Sequence, residues 1–326
     1  MKGEEIISFL GKGWSEVQDK IRSALSSDIK LLNRVNREVL SRSGKQLRPM
    51  VSLLMAMACS QDGALNDGSF RYAAAAELLH NASLIHDDVA DCSKIRRGAP
   101  TVSAKIGDNA AVLLGDFWLS KAVATVLAGK VHDGVLELFS KTLSDLAEGE
   151  MLQLQKSVDA DTTEEDYYRI IYCKTASLFE AACVSGAISV CASKEHLAAS
   201  VRYARALGAA FQIKDDILDF RGGDSLGKPM GVDLKEGKIT LPLLGAFLNA
   251  PSKEKKIRKM LAGSSPSNDD CSFIMDYVID NGGIEYASSC LDTYIAEARS
   301  ALGIFEDSTQ KEYLSQIVSF NAYREI

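Results

Sequence analysis

Two segments of this chain repeat one acidic pattern. HDDVAD carries Asp87, Asp88 and Asp91, and KDDILD carries Asp215, Asp216 and Asp219. On an α-helix, positions i, i+1 and i+4 fall within a wedge of about 100°, so each set of three carboxylates shares one side of its helix. Two carboxylates about 5 Å apart repel by roughly 3 kcal/mol at an effective dielectric near 20. Both triads also lie in apolar sequence, with Leu84 and Ile85 before the first and Ile217, Leu218 and Phe220 within and after the second. Like charges taken partly out of water require a compensating cation. Ligands that are all oxygen suit Mg²⁺, which keeps some waters and shares its shell with phosphates.

Basic residues follow both triads. Lys94, Arg96 and Arg97 come after the first, and Lys228, Lys235 and Lys238 after the second. Lys45 and Arg48 stand earlier in GKQLRP, and Lys174-Thr175 lies between the triads. Arginine offers a bidentate fork to phosphate oxygens and lysine a point charge. Next to Mg²⁺-type carboxylates, these cations read as a diphosphate clamp. His80 precedes Asp87 by two helical turns and falls about 20° from it, on the same face. His86 points about 100° away, and His132 and His196 have no motif around them.

The charge balance bounds the partners. Lys and Arg number 37 against 44 Asp and Glu, a formal net charge of −7. A general nucleic-acid binder needs a basic face, which argues against nucleic acid. Hydrophobic residues make up 46% of the chain, enough to bury a core. The seven cysteines form no CxxC, so reduced thiols in a cytoplasmic protein are expected. MKGEEIISFLGKGW does not read as a signal peptide, and no membrane span is expected.

The elements that must hold these residues are helical. No proline occurs between Pro100 and Pro229, and Ala- and Leu-rich runs span Ser69–Asp91 and Ala110–Lys130. Such runs are apolar on more than one side, as in helices buried inside a bundle. Strand signals are poor. Loops are expected at Ser41–Pro49, Cys92–Pro100, Arg221–Gly237 and Ala262–Asp270. Trp14 and Trp118 fit either a core or an interface. The expected organisation is one helical domain over residues 1–326.

The ordered motifs resemble the polyprenyl synthetase family, the trans-type isoprenyl diphosphate synthases. They are GKQLRP, ELLHNASLIHDDVADCSKIRRGAPTV, NAAVLLGDFWL, AEGEMLQL, KTASLFEAAC, FQIKDDILDF and LGKPMGVDLKEGKITLP, from Gly44 to Pro242. The resemblance implies an all-α, single-domain bundle of antiparallel helices around a deep central cavity, and a homodimer. It implies that isopentenyl diphosphate is condensed head-to-tail with an allylic diphosphate through ionisation, condensation and elimination. By the resemblance, the six aspartates hold Mg²⁺ on the allylic diphosphate, in a site lying between the two triads. Arg96, Lys174, Thr175, Gln212, Lys228 and Lys238 would contact that diphosphate. Lys45, Arg48, His80 and Arg97 would grip isopentenyl diphosphate. The released diphosphate is the implied proton acceptor. An apolar, dry cavity protects a carbocation from water.

Product length is set in that family by cavity depth. Ala82 and Ser83, one turn before Asp87, are small, whereas bulky aromatics there stop growth at farnesyl or geranylgeranyl chains. Leu79, Phe139 and Leu143 are the next candidates for a floor. A long-chain all-trans product is therefore expected, in the hexaprenyl to decaprenyl range. The alternatives are a shorter-chain synthase and a non-catalytic subunit of a heteromeric synthase. A terpene cyclase needs no second diphosphate clamp, and Lys45, Arg48, His80 and Arg97 argue against it.

Overall fold

A computed structural model describes residues 3–42, 44–96, 98–221, 231–263 and 266–323. Most of them are helical, and the one sheet among them is a two-stranded hairpin of Ile95–Arg96 against Ala99–Pro100. The all-α expectation therefore holds. Arg97 and Lys228 lie outside the described residues. The chain divides into two compact units.

The first unit comprises residues 1–141, 181–201 and 304–314. It holds α1 (Gly3–Ala24, kinked at Gly11), α2 (Lys30–Ser41), α3 (Leu47–Cys59), α4 (Asp67–Ala90), α5 (Val102–Ile106) and α6 (Asp108–Leu127). Helix α4 starts in a capping box: Ser69 N donates to Asn66 Oδ1 at 3.1 Å, and Asn66 N to Ser69 Oγ at 3.2 Å. Its Ala73–Ala76 run is fully buried. Side chains this small let α3 and α6 approach the α4 backbone closely. Trp118 of α6 is a core residue; its indole Nε1 donates to Asn36 Oδ1 at 2.9 Å. Asn36 Nδ2 donates in turn to the Leu25 carbonyl at 2.9 Å, which fixes the α1–α2 turn. Leaving that buried indole N–H unpaired would cost about 1–3 kcal/mol.

Two expectations shift here. Helix α3 begins at Leu47, inside the expected Ser41–Pro49 loop, because Pro49 falls in its first turn, where its missing N–H costs nothing. Helix α6 is long and apolar enough to cross a membrane by length and composition alone, contrary to the expectation that no segment qualifies. One side of it packs against α4.

The second unit comprises residues 142–180, 202–303 and 315–326. To it belong most of α7 (Val135–Asp159), α8 (Glu164–Ile171), a π-turn (Tyr172–Ala176), the start of α9 (Ser177–Ser189) and most of α10 (Lys194–Arg221). Then come α11 (Val232–Lys235), α12 (Leu241–Asn249), α13 (Glu254–Leu261), α14 (Asn268–Asp280), α15 (Gly283–Ala301) and the later part of α16 (Thr309–Tyr323). Helix α11 is a short helical turn inside the expected Arg221–Gly237 loop. The apolar helix α12 forms a core with α14 and α15. Around the π-turn the backbones nearly touch. A methyl at Gly208 of α10 would come within 2.4 Å of Ala176 Cα, and one at Gly149 of α7 within 2.5 Å of Cys173 Cβ. Glycine at both places lets α7 and α10 close on the turn that carries Lys174 and Thr175.

Candidate active site

Both aspartate triads sit at helix C-termini. The first fills the last turn of α4, with Asp91 as its C-cap, and the second ends α10, whose last residue is Arg221. Helix C-termini carry the negative end of the macrodipole, so carboxylates are electrostatically misplaced there. A cation must balance them.

At the first triad Asp88 is buried, Asp87 half-buried and Asp91 exposed. The hairpin turns back so that Arg96 Nε donates to Asp88 Oδ1 at 2.6 Å. Thr101 Oγ1 anchors the returning strand to the Ser93 carbonyl at 2.8 Å. Asp88 and Arg96 line a cavity of about 370 Å³ whose walls include Leu84, Ile85 and Pro100. Arg48 lies half-buried in the first turn of α3, which packs on α4, and Lys45 stands exposed before it. His80 is half-buried two turns before Asp87. His86 faces α6, where Nε2 lies 3.2 Å from the Val112 carbonyl and 3.3 Å from Asp116 Oδ1.

The second triad is wired differently. Asp216 is 2% exposed. The Tyr167 hydroxyl donates to its Oδ2 at 2.6 Å, and Gln212 Nε2 donates to its Oδ1 at 2.9 Å. Thr175 Oγ1 donates to Gln212 Oε1 at 2.9 Å, which fixes the amide's orientation. Asp219 accepts from the backbone N–H groups of Val232 at 3.1 Å and Asp233 at 3.2 Å, so α11 docks on the triad. Lys174 Nζ lies 2.5 Å from Glu150 Oε2, and Lys238 Nζ 2.5 Å from Glu236 Oε2. Lys174, Lys238, Gln212, Asp216, Asp233 and Thr240 line one side of a cavity of about 130 Å³ whose walls also include Ile170, Ile171 and Ile239. The Thr240 hydroxyl is buried there with no hydrogen-bond partner among the described residues.

Burial dominates the electrostatics of this second site. It pushes the Asp216 carboxyl up to about 7, against the two hydrogen bonds that favour its charge, with Asp215 and Asp219 adding to the rise. Burial raises Asp219 as well, opposed by its two backbone donors. Asp233 stands well above the carboxylate range through burial and the charges of Asp216 and Asp219. Tyr167, buried beside Asp216, is a firm hydrogen-bond donor, with its phenol raised well above its ordinary value by burial first.

Among the described residues, no three Asp, Glu, His or Cys side chains converge as a ready-made metal nest. The donor set nonetheless fits a hard divalent ion. It consists of oxygens only, it is partly buried and short of positive charge, and it lies at helix ends that repel it. Sequence reasoning missed Tyr167, Glu150 and Asp233. Asp233 sits in the quoted GVDLKEGK stretch, which was the available signal. Of the product-length candidates, Leu79, Ala82 and Phe139 are buried in the first unit and Ser83 is half-buried, with its hydroxyl bonded to the His80 carbonyl at 2.9 Å. Leu143, in the second unit, is half-buried.

An all-helical chain with two such triads and their cations has the makings of a prenyltransferase. Residues 29–278 match the family model of polyprenyl synthetases. Octaprenyl diphosphate synthase of Escherichia coli (strain K12) is 36% identical over 317 residues, covering 96% of each chain. A short chain isoprenyl diphosphate synthase of Methanothermobacter thermautotrophicus is 35% identical over 98% of this chain and 99% of its own. Among solved structures, a polyprenyl synthase from Caulobacter crescentus, complexed with calcium and isoprenyl diphosphate, superposes with a TM-score of 0.90 at 30% identity, covering 100% of this chain and 98% of that one. The chain belongs to the polyprenyl synthetase family and is a prenyltransferase.

Proposed function

We propose that the protein condenses isopentenyl diphosphate with an allylic diphosphate to make a long-chain all-trans polyprenyl diphosphate, with Mg²⁺ as its metal. The observation that carries this reading is the second site: a buried carboxylate held by Tyr167 and Gln212 in a cavity that Lys174 and Lys238 also line. That combination suits a diphosphate bridged by metal ions better than any neutral substrate. The calcium and isoprenyl diphosphate bound by the Caulobacter relative support the same substrate class.

Asp87, Asp88, Asp91, Asp215, Asp216 and Asp219 are assigned to the metal ions. Bound there, Mg²⁺ would neutralise the diphosphate and stabilise its charge as the allylic C–O bond ionises. Lys174 and Lys238 would exchange their present carboxylate partners for phosphate oxygens, and Arg96 would turn from Asp88 to the same group. Thr175 and Gln212 hold Asp216 in orientation. Lys45, Arg48 and His80 are assigned to the isopentenyl diphosphate.

Chain length rests on Ala82 and Ser83, because relatives of nearly equal identity make long and short products by name. Ala82→Phe and Ser83→Phe should each shorten the product. A homodimer is favoured by the exposed apolar side chains Val112, Leu113 and Leu127 on α6. The test is turnover of farnesyl diphosphate with labelled isopentenyl diphosphate by the purified protein alone, with and without Mg²⁺. Chromatography should show products longer than geranylgeranyl. No turnover without a second protein would sink the reading, and a shorter product would sink the long-chain part of it.

A further inference from the structure

A groove of about 1020 Å³ runs along α2 in the first unit. Its charged wall residues are Arg22, Lys30, Arg34 and Arg37, and no carboxylate among the described residues lines it. In a chain of net charge −7 that is a strong local excess of positive charge. Lys30, Leu31, Arg34 and Arg37 are all exposed and recur at helical spacing, so they form one stripe on α2. Arg22 pairs with Asp19 at 2.6 Å. The one acid on α2, Glu38, turns away from the stripe to Arg42 and Lys105. Asp28, exposed at the tip, is the nearest other acid in sequence.

Two large apolar side chains stand at the same end. Ile29 is 58% exposed and Leu31 45% exposed. The turn that presents Ile29 is held rigidly: its N–H donates to Ser27 Oγ at 3.1 Å, Ser27 N donates to Asn33 Oδ1 at 3.1 Å, and Asn33 Nδ2 returns to the Ser27 carbonyl. A preformed apolar tip beside a cationic stripe is the pattern of a surface that sits on an anionic bilayer, with its bases among the headgroups and its apolar residues just below them.

We infer that the α1–α2 turn and the exposed stripe of α2 dock the protein on an anionic phospholipid membrane. The position suits this role. Lys20, near the end of α1, bonds Asp67 at the start of α4 at 2.7 Å, whereas Arg42, just past α2, reaches the Pro100 carbonyl beside the first triad at 3.5 Å. The Ile29 tip therefore lies at the Asp67 end of α4, about 30 Å of helix from the aspartates. A hydrocarbon chain that grows away from its diphosphate heads toward this end. The link to product release rests on the long-chain reading above. The membrane contact itself does not, because it needs no turnover.

The experiment is co-sedimentation of the purified full chain with vesicles of phosphatidylcholine alone and of phosphatidylcholine with about 30% phosphatidylglycerol. Binding is expected only to the anionic vesicles and should weaken as salt is raised. The triple variant Lys30→Glu, Arg34→Glu, Arg37→Glu should bind at least about tenfold more weakly. Ile29→Ser with Leu31→Ser should lose binding by about severalfold while keeping the salt dependence. Thermal unfolding and turnover of a short, soluble allylic diphosphate should be unchanged in both variants, which separates loss of docking from loss of fold or activity. If charge reversal unfolds the chain, Lys30→Gln with Arg34→Gln takes its place. No binding by the native chain, equal binding to neutral vesicles, or binding that survives removal of the stripe's charge would each overturn the inference.

Discussion

The two triads share one spelling and differ in almost everything around it. At the end of α4, Asp88 is held by an arginine from a short hairpin, and Asp91 stands exposed. At the end of α10, Asp216 is sealed among a phenol, an amide and two further carboxylates, and burial drives it toward protonation. A carboxylate facing a mobile cation can be released when substrate brings a better partner. One clamped by neutral donors keeps its orientation throughout. On the proposed metal assignment, the first triad would be the exchangeable one and the second the preorganised one.

That contrast can be broken, and the most severe test is removal of a carboxylate. Asp216→Ala should lower kcat by about 10³-fold, measured with saturating Mg²⁺ and both substrates. Activity within a few fold of the native enzyme would end the metal assignment at the second triad. Arg96→Ala should come next, with a loss of about 10²-fold in kcat/KM for the allylic substrate, because the proposed hydrogen-bond donor to the diphosphate and the holder of Asp88 would both be gone. If only KM for isopentenyl diphosphate rises, Arg96 belongs to the other substrate.

Two smaller effects sharpen the comparison. Tyr167→Phe removes a donor without touching phosphate, so it should raise the Mg²⁺ concentration for half activity by about 10-fold and leave kcat near normal at saturation. A Mg²⁺ titration reads this directly, and an unchanged midpoint would make Tyr167 a packing residue. Thr175→Val should be mildest of these. It frees the Gln212 amide to rotate, at about 0.5–1.5 kcal/mol, and should raise the Mg²⁺ midpoint by only a few fold.

Much of this was legible in the sequence, for identifiable reasons. The proline-free, alanine-rich stretches announced long helices, and the period of 3.6 put each set of three aspartates on one side. Lys174 and Thr175 stood out beside the triads because charge and motif order are written locally. Tyr167 was invisible. It lies 49 residues from Asp216, in EEDYYR, which reads as an ordinary solvated helix start. The pairing of Asp88 with Arg96 is equally tertiary: the sequence supplies both charges, and only the hairpin's return brings them to 2.6 Å. Helix α6 shows what length and composition leave open, because a helix apolar on several sides reads alike whether protein or lipid covers it.

The π-turn at Tyr172–Ala176 has a consequence for how this stretch of chain can vary. There the Ser177 N–H reaches back five residues to the Tyr172 carbonyl, so the turn contains one residue more than an α-helix would use. Deleting a single residue there would give one unbroken α-helix from α8 into α9, with no gap to close. The bond would keep both its ends and shorten to the ordinary four-residue reach, so the faces of α8 and α9 on either side would keep their phase. Tyr167 would still face Asp216, and the change would fall on the wide turn that presents Lys174 and Thr175. The surplus residue thus acts locally, and a one-residue deletion that the fold could absorb would alter how those two side chains are offered while leaving the helices around them in place.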